Sequence, residues 1–265
     1  MHYHKITDSR KNPFFNSYNF FYFPSIYKII FRYLIINIKK RKGINLILGD
    51  KGVGKTSFLY ALSYILKKDK KIITQIISHY FSKSEYQFLL YLSKKLNIIP
   101  YFRSTLDLKE SVRNYLLEKE EKGKIVVFLI DEGEKVSLRN LEVLREFVEY
   151  KNNNKLLQLV IASRTELLHR TKMVRTLLNR VEFKYILTPL DDRETKKMIE
   201  FRLKKAGVKN ISIFTSQAFE LIYQYTQGYP LRVLSLCQYA WKIMKDEGRC
   251  IIDNKIIEKA RGKVK

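Results

Sequence analysis

Residues 44–57 read Ile-Asn-Leu-Ile-Leu-Gly-Asp-Lys-Gly-Val-Gly-Lys-Thr-Ser, and no other stretch restricts the fold as much. The apolar run Ile44–Leu48 suits a buried strand and Ser57–Leu66 suits a helix. Between them Gly49–Thr56 spells G-x-x-x-x-G-K-[ST]. A strand, a glycine loop and a helix in that order form a phosphate cradle. Glycines let the backbone curl so that successive N–H groups face one point, and the helix N-terminus adds partial positive charge. The expected binding residues are Gly49, Asp50, Lys51, Gly52, Val53, Gly54, Lys55, Thr56 and Ser57. Lys55 would reach the β- and γ-phosphates of ATP, and the Thr56 hydroxyl would hold Mg²⁺. The competing reading is a chance Gly-rich turn, against which the flanking strand and helix weigh.

A second feature completes the chemistry. The apolar run Ile125–Ile130 ends in Asp131-Glu132. A carboxylate at the C-terminal end of a buried strand beside a phosphate loop is placed to hold Mg²⁺ through water, and the next one to orient an attacking water. Asp131 is therefore expected at the metal and Glu132 in catalysis. The plainer alternative is two acids opening a loop, with Glu134 nearby.

The surrounding pattern alternates. Apolar runs at 44–48, 71–78, 125–130, 156–162 and 183–187 read as strands. Stretches 55–67, 84–96, 106–122, 138–150 and 167–179 have helical spacing. Such alternation predicts an α/β fold, a parallel sheet with helices on both faces. After Pro189 the pattern changes to four helical stretches (191–206, 215–226, 231–247 and 254–261) with no clear strand. The expected division is an N-terminal arm and amphipathic helix over 1–42, an ATPase core over 43–190 and a helical lid over 191–265.

In the arm, Asn12-Pro13-Phe14-Phe15 reads as an extended segment that packs by its rings. Residues 25–40 are strongly apolar, but Lys28 and Arg32 interrupt them and the uninterrupted stretch is too short to cross a bilayer. The reading is an amphipathic helix on the core, with a peripheral membrane contact as the lesser option.

Lys+Arg number 51 against 26 Asp+Glu, a net charge of +25. An AT-rich codon bias would raise Lys, but Glu codons are equally AT-rich, so bias leaves the excess unexplained. An anionic partner, DNA, RNA or an acidic membrane face, stands beside the plain alternative of a solvated Lys-rich surface. Cys237 and Cys250 form no C-x-x-C pair and no metal spacing with the four histidines, as in reduced thiols of a cytoplasmic protein.

The phosphate loop, Ile-Asp-Glu after a buried strand, the five-strand core and the helical lid resemble an AAA+ P-loop ATPase. A closer likeness covers most of the chain. The opening Asn-Pro-Phe, "KGKIVVFLIDEGEKVSLRNLEVLREFVEY", "NKLLQLVIASRTELL" and "GYPLRVLSLCQYA" follow the order of the ExeA-like ATPases, linked to general secretion and cell-wall work. The related TniB/TnsC-type transposition ATPases share the core and act on DNA. The resemblance implies ATP and Mg²⁺ as cofactors, sheet order 5-1-4-3-2, and homo-oligomers in which a neighbour completes the site.

Further positions follow from that likeness. Ser163-Arg164 stands where the family usually reads G-Q, so Ser163 or Arg164 would contact the γ-phosphate while Arg164 departs from the polar sensor. Arg180 precedes the last strand, where such proteins keep the arginine that reaches a neighbour's ATP; Arg175 is the rival. In Gly228-Tyr229-Pro230-Leu231-Arg232 the lid arginine falls one residue late, about 100° around a helix. Arg232 is either a displaced nucleotide contact or a helix-surface base. The functional expectation is an ATP hydrolase coupling nucleotide state to assembly, a partner protein or DNA. The alternatives are a DNA-binding transposition regulator and a STAND-like ATP switch with little turnover.

Overall fold

The computed structural model describes residues 12–14, 21–78, 84–99, 104–149, 155–169, 176–208 and 212–264. Phe15 and Arg175 lie outside the described residues. The chain divides into two compact units. The first takes Ile26–Lys51 and Lys55–Leu187; the second takes Met1–Ser25, Gly52–Gly54 and Thr188–Lys265. The arm and helix expected as one segment over 1–42 are thus shared between the units at Ser25.

In the first unit, β1 (Ile44–Leu48), β2 (Ile72–Ile77), β3 (Ile125–Ile130), β4 (Leu157–Ser163) and β5 (Val181–Ile186) form one sheet in the order β2-β3-β4-β1-β5. That is the expected 5-1-4-3-2 order, and every pairing is parallel. β1 and β4 are buried at every position, as befits central strands covered on both faces. β5 is an edge strand whose residues alternate between half-buried and exposed. It begins at Val181, two residues before the apolar run predicts it, because alternation rather than a continuous apolar run marks a half-covered strand.

The helices of this unit are α1 (Ser25–Lys39), α2 (Lys55–Leu66), α3 (Glu85–Lys95), α4 (Thr105–Glu121) and α5 (Leu138–Val148). Their starts are chemically marked. Ser104 and Asp107 form a reciprocal capping box on α4, and Ser137 accepts from Asn140 N at 3.2 Å on α5. α1 buries Tyr27, Ile30, Phe31, Leu34 and Ile38, with the Phe31 ring stacked on Phe58 at 4.6 Å. Its outward face leaves Ile26, Ile29, Tyr33 and Ile36 exposed. Among the described residues no helix is long and apolar enough to cross a membrane. The helix expected over 167–179 opens as a 3₁₀ turn, Thr165–His169.

The second unit holds α6 (Asp192–Lys205), α7 (Ser216–Thr226), α8 (Pro230–Asp246) and α9 (Asn254–Arg261). Asp191, Thr215 and Asp253 cap α6, α7 and α9 through side-chain oxygens. One parallel bridge, Phe214 to Ile252, adds a β contact where the sequence predicts none. Phe14 is fully buried here, edge-on to Phe214 at 5.9 Å and to Trp241 at 6.1 Å. Phe14 therefore packs by its ring, as the sequence predicts, in the core of the helical unit, but Pro13 and Phe14 form a turn, with Phe14 N donating to Asn12 Oδ1 at 2.9 Å, and not the extended segment expected. Arg202, also buried, donates to Pro13 O at 3.3 Å, and loss of water draws its pKa down to about 10. Cys237 is a buried free thiol and Cys250 a half-buried one.

Truncating a fully buried phenylalanine costs about 3–5 kcal/mol. Phe14→Ala is expected to destabilise the protein on that scale, seen as a lowered midpoint in denaturant unfolding, whereas Phe23→Ala, at an exposed ring, should change little.

Candidate functional site

β1 delivers the chain to Gly49, and α2 starts at Lys55. The first turn of α2 carries no acidic residue of its own, which leaves the positive end of its dipole favourable to an anion. Gly54 has φ +99° with open space around it, so backbone conformation alone demands glycine there. Val53 is buried and anchors the loop, while Asp50 and Lys51 are exposed at its outer turn. The Lys55 ammonium donates to Gly49 O at 2.6 Å and Asp50 O at 2.9 Å, folded back across the loop. Partial burial lowers its pKa, with Glu134, Asp131 and Asp50 pulling against that and Arg164 adding to it.

The two sequence features meet at one hydrogen bond. Thr56 Oγ1 donates to Asp131 Oδ2 at 2.7 Å across 75 residues of chain. Asp131 is buried, and its other oxygen accepts from Glu132 N at 3.0 Å. Glu132 itself lies in the left-handed region at φ 52°, a conformation that costs of order 1 kcal/mol or more in a non-glycine residue. Its carboxylate pairs with Lys135 at 2.7 Å.

Gly133 follows, and a Cβ there would lie 2.4 Å from Ile161 Cγ2. Only a bare backbone lets the loop after β3 lie against β4. The hydroxyl of Thr56 and the carboxylate of Asp131 are hard oxygens with the chemistry Mg²⁺ prefers. Among the described residues no group of three or more His, Cys, Asp or Glu converges as a metal cage, so a bound Mg²⁺ would rest on these oxygens, phosphate and water.

Register brings in the next pair. Ser163 stands abreast of Leu48, one residue before the glycine loop. Ser163 Oγ and Arg164 N both donate to Glu134 Oε2 at 3.1 Å, and the Arg164 guanidinium pairs with Glu134 at 3.3 Å. Glu134 is the residue to which sequence reasoning gives no role. Its only signal is a third acid in Asp131-Glu132-Gly133-Glu134, and only folding shows that it faces Ser163 and Arg164.

Within the first unit, one predicted position stands apart from this cluster. Arg180 pairs with Glu149 and donates to Thr176 O at 3.1 Å. It adjoins Val181, which pairs with Ile44 at the start of β1. Five residues of β1, about 17 Å of strand, separate that end from Gly49. Within one chain Arg180 cannot reach its own phosphate loop. Arg232 lies with its guanidinium over the Tyr229 ring at 4.7 Å and lines a cavity with Tyr225, Leu236 and Arg261. In the same unit it is Leu231 whose N–H donates to Gly52 O at 3.2 Å. Pro230 starts α8, as expected, and the residue it sets against Gly52 is an apolar one.

The AAA domain family profile matches residues 38–171. Similar proteins include general secretion pathway protein A of Aeromonas hydrophila, 29% identical over 204 residues that make 75% of this chain and 36% of that protein. An uncharacterized HTH-type transcriptional regulator of Methanocaldococcus jannaschii is 23% identical over 250 residues, 81% of this chain and 61% of the relative. The chain thus spans about a third and three-fifths of these relatives. Among solved structures, Cdc6p of Pyrobaculum aerophilum superposes with a TM-score of 0.73 at 16% identity over 95% of this chain and 70% of that one. The Thermotoga maritima RuvB Holliday junction branch migration motor gives 0.59 at 14% identity over 88% and 67%. At these identities the structural likeness concerns the fold.

Gly133→Ala is expected to destabilise by about 1–3 kcal/mol through overpacking against Ile161. It should also weaken nucleotide binding, because the displaced loop carries Asp131 and Glu132. Thermal unfolding with and without ATP checks both.

Proposed function

The chain belongs to the AAA domain family, whose members are ATPases, and on that premise we propose that it binds and hydrolyses Mg·ATP at the Gly49–Ser57 loop. The observation that carries this reading is the 2.7 Å hydrogen bond between Thr56 and Asp131, which joins the phosphate loop to the acidic strand end. Lys55 exchanges its two loop carbonyls for the β- and γ-phosphates. Thr56 and Asp131 hold Mg²⁺, which when bound neutralises phosphate charge. Glu132 leaves Lys135 and positions the attacking water. Ser163 and Arg164, tethered by Glu134, sense the γ-phosphate. Arg180, too far from its own loop, serves a second copy of the chain, so the working form is a homo-oligomer. Leu231 and Arg232 mark a lid whose apolar contact at Gly52 replaces a charged one, and Arg232 is retained as a nucleotide contact only through rearrangement of α8.

Hydrolysis is coupled to assembly or to an anionic partner, for which the net charge of +25 is the motive. Duplex DNA is the first candidate, as for a transposition-type regulator; a partner protein in secretion follows from the name of the A. hydrophila relative, and a peripheral membrane site from the exposed apolar face of α1. A cytoplasmic location, with access to ATP, goes with this reading. A second reading, a switch that holds ATP with little turnover, draws on the Glu132–Lys135 pair.

Lys55→Ala should abolish binding of a fluorescent ATP analogue. Glu132→Gln should bind it normally and lose about 10²–10³-fold in turnover, the scale of a general-base deletion. Normal nucleotide binding by folded Lys55→Ala would overturn the assignment.

The two readings part at Lys135→Ala. An enzyme restrained by the Lys135 pair should turn over faster in this variant. A switch held by that pair should show negligible steady-state phosphate release as wild type and gain it only once Lys135 is removed.

A further inference from the structure

The parallel sheet gathers every strand's C-terminal end at the nucleotide loop, and by the same rule gathers every strand's lead-in at the opposite edge. Four of those lead-ins are basic turns. Residues 39–42 before β1 read Lys-Lys-Arg-Lys, 67–71 before β2 read Lys-Lys-Asp-Lys-Lys, 121–124 before β3 read Glu-Lys-Gly-Lys, and Lys155 precedes β4. Together they hold eleven Lys and Arg against two acids.

The turns are tied to one another. The Arg41 guanidinium donates to Lys124 O at 2.8 Å, and the Lys124 ammonium donates to Lys70 O at 2.9 Å. Lys39 pairs with Asp69 at 2.8 Å, and the Lys155 ammonium donates to Lys42 O at 2.6 Å. Four basic side chains are thus used to knit the turns into one surface. Lys40, Lys42, Lys67, Lys68, Lys70 and Lys71 are exposed, and among the described residues none is in an ion pair. Concentrating like charge this way opposes folding unless a polyanion neutralises it.

We infer that this edge of the sheet is a docking surface for the phosphodiester backbone of duplex DNA. Strands β2, β3, β4 and β1 are successive neighbours. Their lead-ins therefore form a row about 14 Å long, at about 4.8 Å per strand. That row matches about four nucleotides of one DNA strand at about 3.4 Å rise each. The chemistry separates DNA from lipid. Membrane docking inserts apolar side chains between headgroups. None of the exposed large apolar residues lies in these turns; those of α1 are on its outward face. A surface of lysines without apolar anchors reads phosphate charge, not sequence. It lies at the far end of the strands from Lys55, so ATP and DNA would occupy separate sites.

The inference rests on the anionic-partner reading proposed above, and the test separates the two. Binding of a fluorescent random-sequence duplex is measured across a salt series for the whole chain, for Lys40→Gln/Lys42→Gln/Lys70→Gln/Lys71→Gln, and for a control with Lys204, Lys242, Lys255 and Lys263 changed to Gln. ATP-analogue binding and thermal midpoint report folding of each. The wild type should lose affinity steeply with salt. The first variant should bind at least about tenfold more weakly, with a log–log salt slope shallower by about one for each phosphate no longer neutralised. ATP binding should stay unchanged in both variants, and DNA binding should stay unchanged in the control. Wild-type DNA binding with an unaltered slope in the first variant would overturn the surface while leaving the DNA reading standing. Absence of wild-type DNA binding at low salt, or preferential capture by phosphatidylserine-containing vesicles, would overturn both.

Discussion

Every placement in the first unit depends on β1 running parallel between β4 and β5. The register fixes Leu48 beside Ser163 on one side and Ile186 on the other. Because all five strands point the same way, their C-terminal ends share one edge. That edge receives the glycine loop after β1, the acidic turn after β3 and Ser163-Arg164 after β4. Parallel strands require crossovers, and the helices that make them cover both faces and bury β1 and β4 completely. The chemistry of the site is a consequence of strand direction.

Within that edge the charges are arranged in pairs. Lys55 is held by two carbonyls, Asp131 by Thr56 and Glu132, and Arg164 by Glu134. Arg164 introduces a second cation near Lys55, and it disfavours the charged form of Lys55. Glu134 offsets that effect by pairing with Arg164 and by acting on Lys55 with the opposite sign. The cation at Arg164 is therefore accompanied by a compensating acid thirty residues earlier. The glycine before Glu134 lets this acid sit close to the end of β4, since any side chain at Gly133 would collide with Ile161.

The strands are legible in the sequence because central parallel strands are continuous apolar runs, and the helices of the second unit because 3.6-residue periodicity and Thr and Asp caps mark them. The edge strand β5 is harder. Only one of its faces is covered, so Glu182 on the exposed face cuts Val181 off from the apolar residues that follow and patterning places its start late. The β contact between Phe214 and Ile252 leaves no pattern, since a single bridge has no period. In the second unit, Pro230 announces the helix start, but the rotation of one residue decides that Leu231 and not Arg232 meets Gly52. A one-residue shift is invisible to motif spacing and is worth about a quarter-turn of helix.

Sequence alone determined the phosphate loop, the acidic strand end and the α/β class. These are local: backbone curl, helix dipole and apolar runs act over a few residues. It also implied the sheet order through family likeness. Only the tertiary structure decided which distant groups meet. Thr56 finds Asp131, Glu134 takes Ser163 and Arg164, Arg180 is held at the opposite edge, and four basic turns become one surface. Those contacts are set by strand order and register, which arise from burying both faces of the sheet at once. No single segment encodes them.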